Sequence, residues 1–316
     1  MAQNKVQFQE GMCLHEFIEK YGTDEQCEKT LFDARWPNGF KCERCEHDSF
    51  CYIKSRQTYQ CTRCKHQASL KSNTVFHSSK IPLSKWFLAI YLISQSKNGM
   101  AALALKRHIG VSYKTAWSMK HKLMQAMSEK DAKRRLAGLV TADDVYLGGQ
   151  QRDGKRGRGS ENKQPFVAAI SLSSKGWPLY AKFTPVESFT AVNIGNWVEQ
   201  HLYPNSVIAT DGFASFNIIS KINEHKHVKI PMQPDRKTGQ IPYFHWLNTI
   251  LGNVKSAITG TYRSSRKGYG ERYLSEFQYR FNRRFNLRSL FINLIYTAAH
   301  TPPLPWRLLQ RAVNYK

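Results

Sequence analysis

From about Pro82 to Lys130, aliphatic and aromatic residues recur three and four apart, the period of one buried helix face. The pattern then changes. "GLVTADDVYLGG", "PFVAAISLS", "PLYAKFTPV" and "SVIATDG" are short apolar or alternating runs bounded by glycine, serine or proline, and they read as strands. "TAVNIGNWVEQHL" returns to helical spacing, with Thr190 placed as an N-cap. "FHWLNTILGNVKSAITGTYR", Phe244 to Arg263, predicts a longer helix that contains no carboxylate, and "YLSEFQYRFNRRF" and "LFINLIYTAA" predict two more. Upstream, residues 12–38 read as helix and loop with a tight turn at "WPNGF". The glycine-rich, charged "GGQQRDGKRGRGSENKQ" reads as a loop. The chain has no internal repeat.

Composition narrows the classes. With 41% hydrophobic residues among 316, the chain can bury a core and is not a disordered polymer. Its formal net charge of +24 favours a polyanionic partner, because clustered Lys and Arg release condensed counterions from nucleic acid. The first residues lack the apolar stretch of a signal peptide, and no apolar run reaches the length of a membrane span. The expected location is cytoplasmic and nucleoid-associated, with no membrane partner.

Five of the seven cysteines fall between Cys42 and Cys64. "CERC" and "CTRC" place Cys42, Cys45, Cys61 and Cys64 as two Cys-x-x-Cys turns fifteen residues apart, the spacing of a structural Zn²⁺ site closed by a hairpin. A redox pair needs only one such turn. Cys51 reads as a small hairpin residue, Cys13 and Cys27 as core, and His47 and His66 are superfluous once four thiolates are present.

"GMAALALKRHIGVSYKTAWSMKHKLMQAM" has the form of a helix-turn-helix. Gly110 suits a left-handed helix end and Ser112 an N-cap. Tyr113, Lys114, Thr115 and Ser118 then occupy the positions that a recognition helix offers to a major groove, with Lys120 and Lys122 expected to reach phosphates. An ordinary helical hairpin is the alternative.

Two strands carry acids in otherwise apolar surroundings, Asp143 and Asp144 in one and Asp211 at the end of the other. Such burial is costly unless the charge is paired or bound to metal. The element order strand, strand, strand, helix, strand, helix is that of a ribonuclease-H-like mixed α/β core, which sets its first and fourth strands side by side. Carboxylates there suit Mg²⁺ or Mn²⁺. Strand alternation sends Asp143 and Asp144 to opposite faces, so one of the pair is expected at the metal, and the pattern does not decide which.

The Cys-x-x-Cys pairs, "FHSSKIPLSKWFLAIYLIS", "GVSYKTAW", "ADDVYLGG", "RGRGSENKQPFVAAI", "TDGFASF", "HWLNTILGNVKSAITGTYR" and "EFQYRFNRRF" occur in an order that resembles zinc-ribbon insertion-sequence transposases of the DDE superfamily, from about residue 25 to 290. The resemblance implies an N-terminal helical segment (1–38), a zinc ribbon (39–75), a helix-turn-helix region (80–130), a catalytic domain (136–300) and a tail (301–316). It maps the first acidic ligand to Asp143, with Asp144 where the family has Glu, and the second to Asp211. The family's third ligand, Glu, His or Asn seven residues before a Lys, maps to Asn248 ahead of Lys255. That separation is nearly two turns, so both lie on one helix face. Asn253 is the second choice, and His245 shares the Asn248 face.

The activity implied is cleavage at the element's ends and transfer of the 3′-OH to target DNA, on double-stranded DNA, by a homodimer on paired ends. Candidate backbone contacts are "GKRGRG" and "RRFNLR", with Phe277 and Phe281 packing and Arg280 and Arg284 facing outward or pairing with Glu276. Because an amide is a weaker ligand than Glu, a DNA-binding protein or repressor with a spent catalytic core is a second expectation. A nuclease without strand transfer is a third.

Overall fold

The computed structural model describes residues 10–148, 163–230, 242–262 and 268–310, which form two compact units, residues up to 127 with 285–310, and residues 128–284. "GKRGRG" lies outside the described residues.

The first unit opens with helices α1 (Leu14–Tyr21) and α2 (Asp24–Arg35). Cys13, expected in the core, is exposed and caps α1, its sulfur accepting from Glu16 N. Thr23 and Gln26 form a reciprocal capping box on α2, which satisfies two otherwise orphaned N–H groups. A three-stranded antiparallel ribbon follows, β1 (Phe50–Ile53), β2 (Thr58–Cys61) and β3 (Gln67–Ser69). It is fastened to α2 by Arg35, which donates to the carbonyls of Ser69 and Leu70 at 2.8 and 2.7 Å and pairs with Glu43. Helices α3 (Leu83–Gln95), α4 (Ala102–Ile109) and α5 (Tyr113–Ala132) come next, the last turn of α5 belonging to the second unit.

The second unit is built on strands β4 (Leu139–Leu147), β5 (Gln164–Leu172), β6 (Pro178–Pro185), β7 (Val207–Thr210) and β8 (Lys226–Lys229), ordered β6-β5-β4-β7-β8. β4, β5 and β6 are antiparallel neighbours, while β7 runs parallel to β4 and β8 parallel to β7. Helix α6 (Ala191–His201) makes the crossover to β7, and α7 (Pro242–Tyr262) and α8 (Gly270–Phe281) follow β8. This is the ribonuclease-H-like mixed sheet expected, with a fifth strand added. Val140, Ala142, Val167, Ala169 and Ile208 present one sheet face to Ile194, Trp197 and Val198 of α6. α7 packs against β4 and β5.

Helix α9 (Leu287–His300), expected with the catalytic domain, belongs instead to the first unit. Its buried stripe of Leu290, Phe291, Leu294 and Ile295 supplies the reason, since the Phe291 ring meets Phe17, Tyr21, Phe87 and Tyr91 of α1 and α3. Helix α10 (Trp306–Gln310) ends the described chain.

The arginine-rich motif at the end of α8 departs from expectation at Arg283 and Arg284, while Arg280 pairs with Glu276 as one reading had it. β6 is an edge strand, whose unpaired backbone groups would otherwise template association. Gln278 Oε1 accepts from Phe183 N at 2.8 Å, Asn282 Oδ1 accepts from Ala181 N at 2.7 Å, and Asn282 Nδ2 donates to Ala181 O at 3.0 Å. Arg284 donates to the carbonyls of Leu179 and Pro178, and Arg283 donates to the buried Asp131 at 2.8 Å. Arg280 is buried beside Glu276, 3.8 Å away. None of these three arginines faces outward as a phosphate contact; Arg284 and the two amides close the sheet edge, while Arg280 takes the expected pairing with Glu276. Asn282→Ala leaves a buried N–H and C=O unpaired at about 1–3 kcal/mol each, so a loss of about 2–6 kcal/mol is expected in chemical denaturation of the second unit.

Candidate metal centres and nucleic-acid interface

β4 carries Asp143 and Asp144 opposite Ala168 and Val167 of β5. On its other side, the parallel ladder to β7 ends at Thr141↔Ala209. Beyond that pair, β4 has an open margin toward the turn that follows β7, and Asp211 is the first residue of this turn. There the carboxylates of Asp143, Asp144 and Asp211 come within 4.8 Å of one another, all half-buried. This corrects the expectation that one of the neighbouring pair points away: alternation separates the Cα–Cβ vectors, but past the ladder's end both side chains can lean across the strand margin. The acid doublet inside an otherwise apolar strand was the available signal. Asp211 Oδ1 accepts from Phe213 N at 3.0 Å, and Gly212 at φ +88° makes the turn, a conformation that L residues with a Cβ resist.

Three carboxylates this close repel, and the surrounding protein screens them less than water does. A hard divalent cation of the Mg²⁺ or Mn²⁺ type, with its preference for oxygen ligands, fits this donor set.

On α7, Phe244, Leu247, Leu251, Val254 and Ile258 form the buried stripe. Asn248 and Lys255 flank it on one side; Asn248 is half-buried, Lys255 exposed. Asn248 Nδ2 is buried without a hydrogen-bond partner among the described residues. Amide nitrogen and oxygen are assigned by their networks, so rotation of this amide would set an acceptor oxygen at that place. Asn253 and His245 are exposed.

In the ribbon, the four sulfurs of Cys42, Cys45, Cys61 and Cys64 also lie within 4.8 Å of one another. The Cys42–Cys64 and Cys45–Cys61 sulfur separations are both 3.6 Å, close to the edge of about 3.8 Å of a tetrahedron with Zn–S bonds near 2.3 Å. The two turns repeat one geometry. Cys42 N donates to His47 O and Cys61 N to His66 O, while Glu46 and Lys65 take left-handed φ values of 60° and 58°. The two histidines thus serve through their backbones. Cys51 is exposed on β1.

The helix-turn-helix has its expected joints. Gly110 has φ 63° and Thr115 N donates to Ser112 Oγ at 3.1 Å. Tyr113 and Lys114 are exposed and Thr115 and Ser118 half-buried, with the Lys114 ammonium 4.8 Å above the Trp306 ring. One expected phosphate contact, Lys120, is overturned. Lys120 is buried and donates to Met100 O, because its stem lies beside the Ala116, Met119 and Leu123 stripe. Lys122 is half-buried and points to Val75 O at 3.5 Å, and burial lowers its pKa.

A carboxylate cluster formed by the middle of the first strand and the residue just after the fourth strand of a mixed sheet defines a ribonuclease-H-like protein. Its sequence relatives narrow the class. The ISXO2-like transposase domain family matches residues 135–282, and the transposase zinc-ribbon domain family matches residues 22–67. A protein of Halobacterium salinarum described as an uncharacterized protein in transposable element ISH50 is 29% identical over 219 residues, covering 63% of this chain and 71% of the relative. Among solved structures, a pre-cleavage Mos1 transpososome matches 60% of this chain and 74% of that one, with 9% identity and a TM-score of 0.22. Both matched regions, residues 22–67 and 135–282, are those of zinc-ribbon insertion-sequence transposases of the DDE type. No helix among the described residues is long and apolar enough to cross a membrane.

Proposed function

We propose that this transposase cuts DNA at the ends of its insertion sequence and joins the freed 3′-OH to target DNA, with Asp143, Asp211 and Asn248 holding the catalytic divalent ions. The observation that carries the reading is the convergence of the Asp143, Asp144 and Asp211 carboxylates within 4.8 Å in the second unit. When bound, a pair of such ions neutralises charge on the attacking and leaving oxygens of an in-line displacement. The residues' own tasks are separable. Asp211 is held by its turn, Asp143 and Asp144 by the β4–β5 ladder, and Asn248 offers a neutral amide. Lys255, seven residues on, balances a phosphate beside the scissile bond. Tyr113, Lys114, Thr115 and Ser118 read the terminal repeat, and the four-cysteine ribbon holds Zn²⁺. The protein acts in the cytoplasm on nucleoid DNA, as a homodimer on paired ends.

The neutral Asn248 favours a second reading, a DNA-binding regulator with a spent catalytic core. A strand-transfer assay with the cognate terminal repeats and Mg²⁺ separates the two, since a regulator binds the ends without joining them. In the same assay, Asn248→Ala is expected to lower the rate by about tenfold to a hundredfold, a typical cost of weakening a metal site. Asn253→Ala should leave it unchanged. The reverse result moves the third ligand to Asn253.

A further inference from the structure

Thr210, the last residue of β7, is fully buried. The backbone N–H of Gly212 donates to its Oγ1 at 3.4 Å, and His227 Nε2 lies 2.8 Å from the same oxygen. β7 and β8 are paired in parallel, with Ile208 opposite His227 and Thr210 opposite Lys229. Opposite residues in a sheet share a face, and so do residues two apart, so Ile208, Thr210 and His227 stand on one side of it. Ile208 belongs to the core beneath α6, and Phe213, just past the turn, packs against that same core.

Residues 210–213 are therefore gripped at both ends. On the strand side, the imidazole holds the Thr210 hydroxyl, which receives the Gly212 N–H. On the far side, the Asp211 carboxylate accepts from Phe213 N at 3.0 Å. The ring is a weak choice for stability alone. Burial, and then the charge of Lys229, lower the pKa of His227, and its Nδ1 is buried without a partner among the described residues. An unpaired buried polar atom costs about 1–3 kcal/mol, which an apolar side chain on β8 would avoid.

We infer that His227, acting through the Thr210 hydroxyl, is a positioning residue that fixes the turn presenting the Asp211 carboxylate to a divalent cation. The inference rests on the reading of Asp143, Asp144 and Asp211 as a metal site. It assigns a use to the fifth strand: β8 adds four residues to the sheet edge, and its histidine reaches the turn one residue before the ligand. A hydrogen bond to the residue that orients a ligand has a characteristic signature, a loss of metal affinity that excess metal can overcome.

The test is Mn²⁺ binding to the full zinc-loaded chain, followed by electron paramagnetic resonance of the free ion, with DNA cleavage measured across a Mn²⁺ series. His227→Ala and Thr210→Val are each expected to weaken Mn²⁺ binding about tenfold, and the double variant no further than either single one. Cleavage at saturating Mn²⁺ should return close to the wild-type rate. His227→Gln, which can set an amide near the Nε2 position, and Thr210→Ser, which keeps the hydroxyl, should restore affinity.

Asp211→Ala is the control. If it abolishes Mn²⁺ binding while His227→Ala and Thr210→Val leave affinity unchanged, the brace is refuted and the metal site stands. If Asp211→Ala changes nothing, the metal-site reading falls and the inference with it. Should His227→Ala fail to fold, the Thr210→Val and Thr210→Ser pair decides by the same measurement.

Discussion

Asp211→Ala is expected to lower cleavage of terminal-repeat DNA by on the order of 10³-fold, because a metal clamp contributes several kcal/mol of charge stabilisation and each 1.36 kcal/mol is tenfold in rate. The carboxylate stands within 4.8 Å of two others, on a turn held by its own bond to Phe213 N, and a methyl group there offers a cation nothing. DNA binding should move the other way or not at all. Deleting a negative charge where phosphates approach, on a chain of net charge +24, removes repulsion. A gel-shift titration and a single-turnover cleavage assay on the same preparation read the two effects separately. Unimpaired cleavage overturns the carboxylate assignment. A parallel loss of binding and cleavage points instead to misfolding, which the circular dichroism of the second unit's sheet checks. Asp144→Ala belongs in the same series: its carboxylate joins the cluster, so a measurable loss is expected rather than the neutrality of an outward-facing side chain.

That expectation for Asp144 shows where pattern reasoning stops. Alternation assigns a face to each Cβ, and it does so correctly along β4: Val140 and Ala142 lie in the α6 core. It says nothing about how far a partner strand extends, and the end of the β4–β7 ladder at Thr141↔Ala209 is what brings both acids to Asp211. Sequence signals are most legible where the chemistry is local. The Cys-x-x-Cys spacing, the Ser112 cap and the left-handed Gly110 each depend on a few consecutive residues, and the structure has all three.

Charged residues are harder to read for the opposite reason. Lys120, Arg283 and Arg284 carry the sign that DNA contacts need, but their partners are remote in sequence. Met100 O, Asp131 and the β6 carbonyls become visible only once the chain is folded. The same holds for α9. Its apolar stripe is plain in the sequence, but the aromatic side chains of α1 and α3 that it packs against lie some two hundred or more positions earlier.

The second large effect is expected at the ribbon. Removing zinc, or replacing Cys61 by alanine, should unfold β1–β3 while leaving the β4–β7 sheet protected. The strands have only four, four and three residues. A sheet of that size is not stable alone, whereas structural zinc in small domains supplies an apparent binding free energy of about 10–16 kcal/mol. Two features oppose unfolding. Arg35 holds the carbonyls of Ser69 and Leu70, and the rings of Phe32, Trp36, Phe40, Phe50 and Tyr59 pack together between α2 and the hairpin. Phe50, at 37% exposure, is only partly withdrawn from water, so the cluster contributes less than the about 1.5–3 kcal/mol per ring that full burial would.

The metal therefore dominates, and hydrogen exchange is the direct measurement. After chelation, peptides spanning Cys42–Ser69 should exchange as an unfolded chain, and those from β4, β5 and β7 should keep their protection. Retained protection of β2 in protein shown to be zinc-free would mean that the aromatic cluster alone holds the hairpin, and that the four thiolates are not its main support.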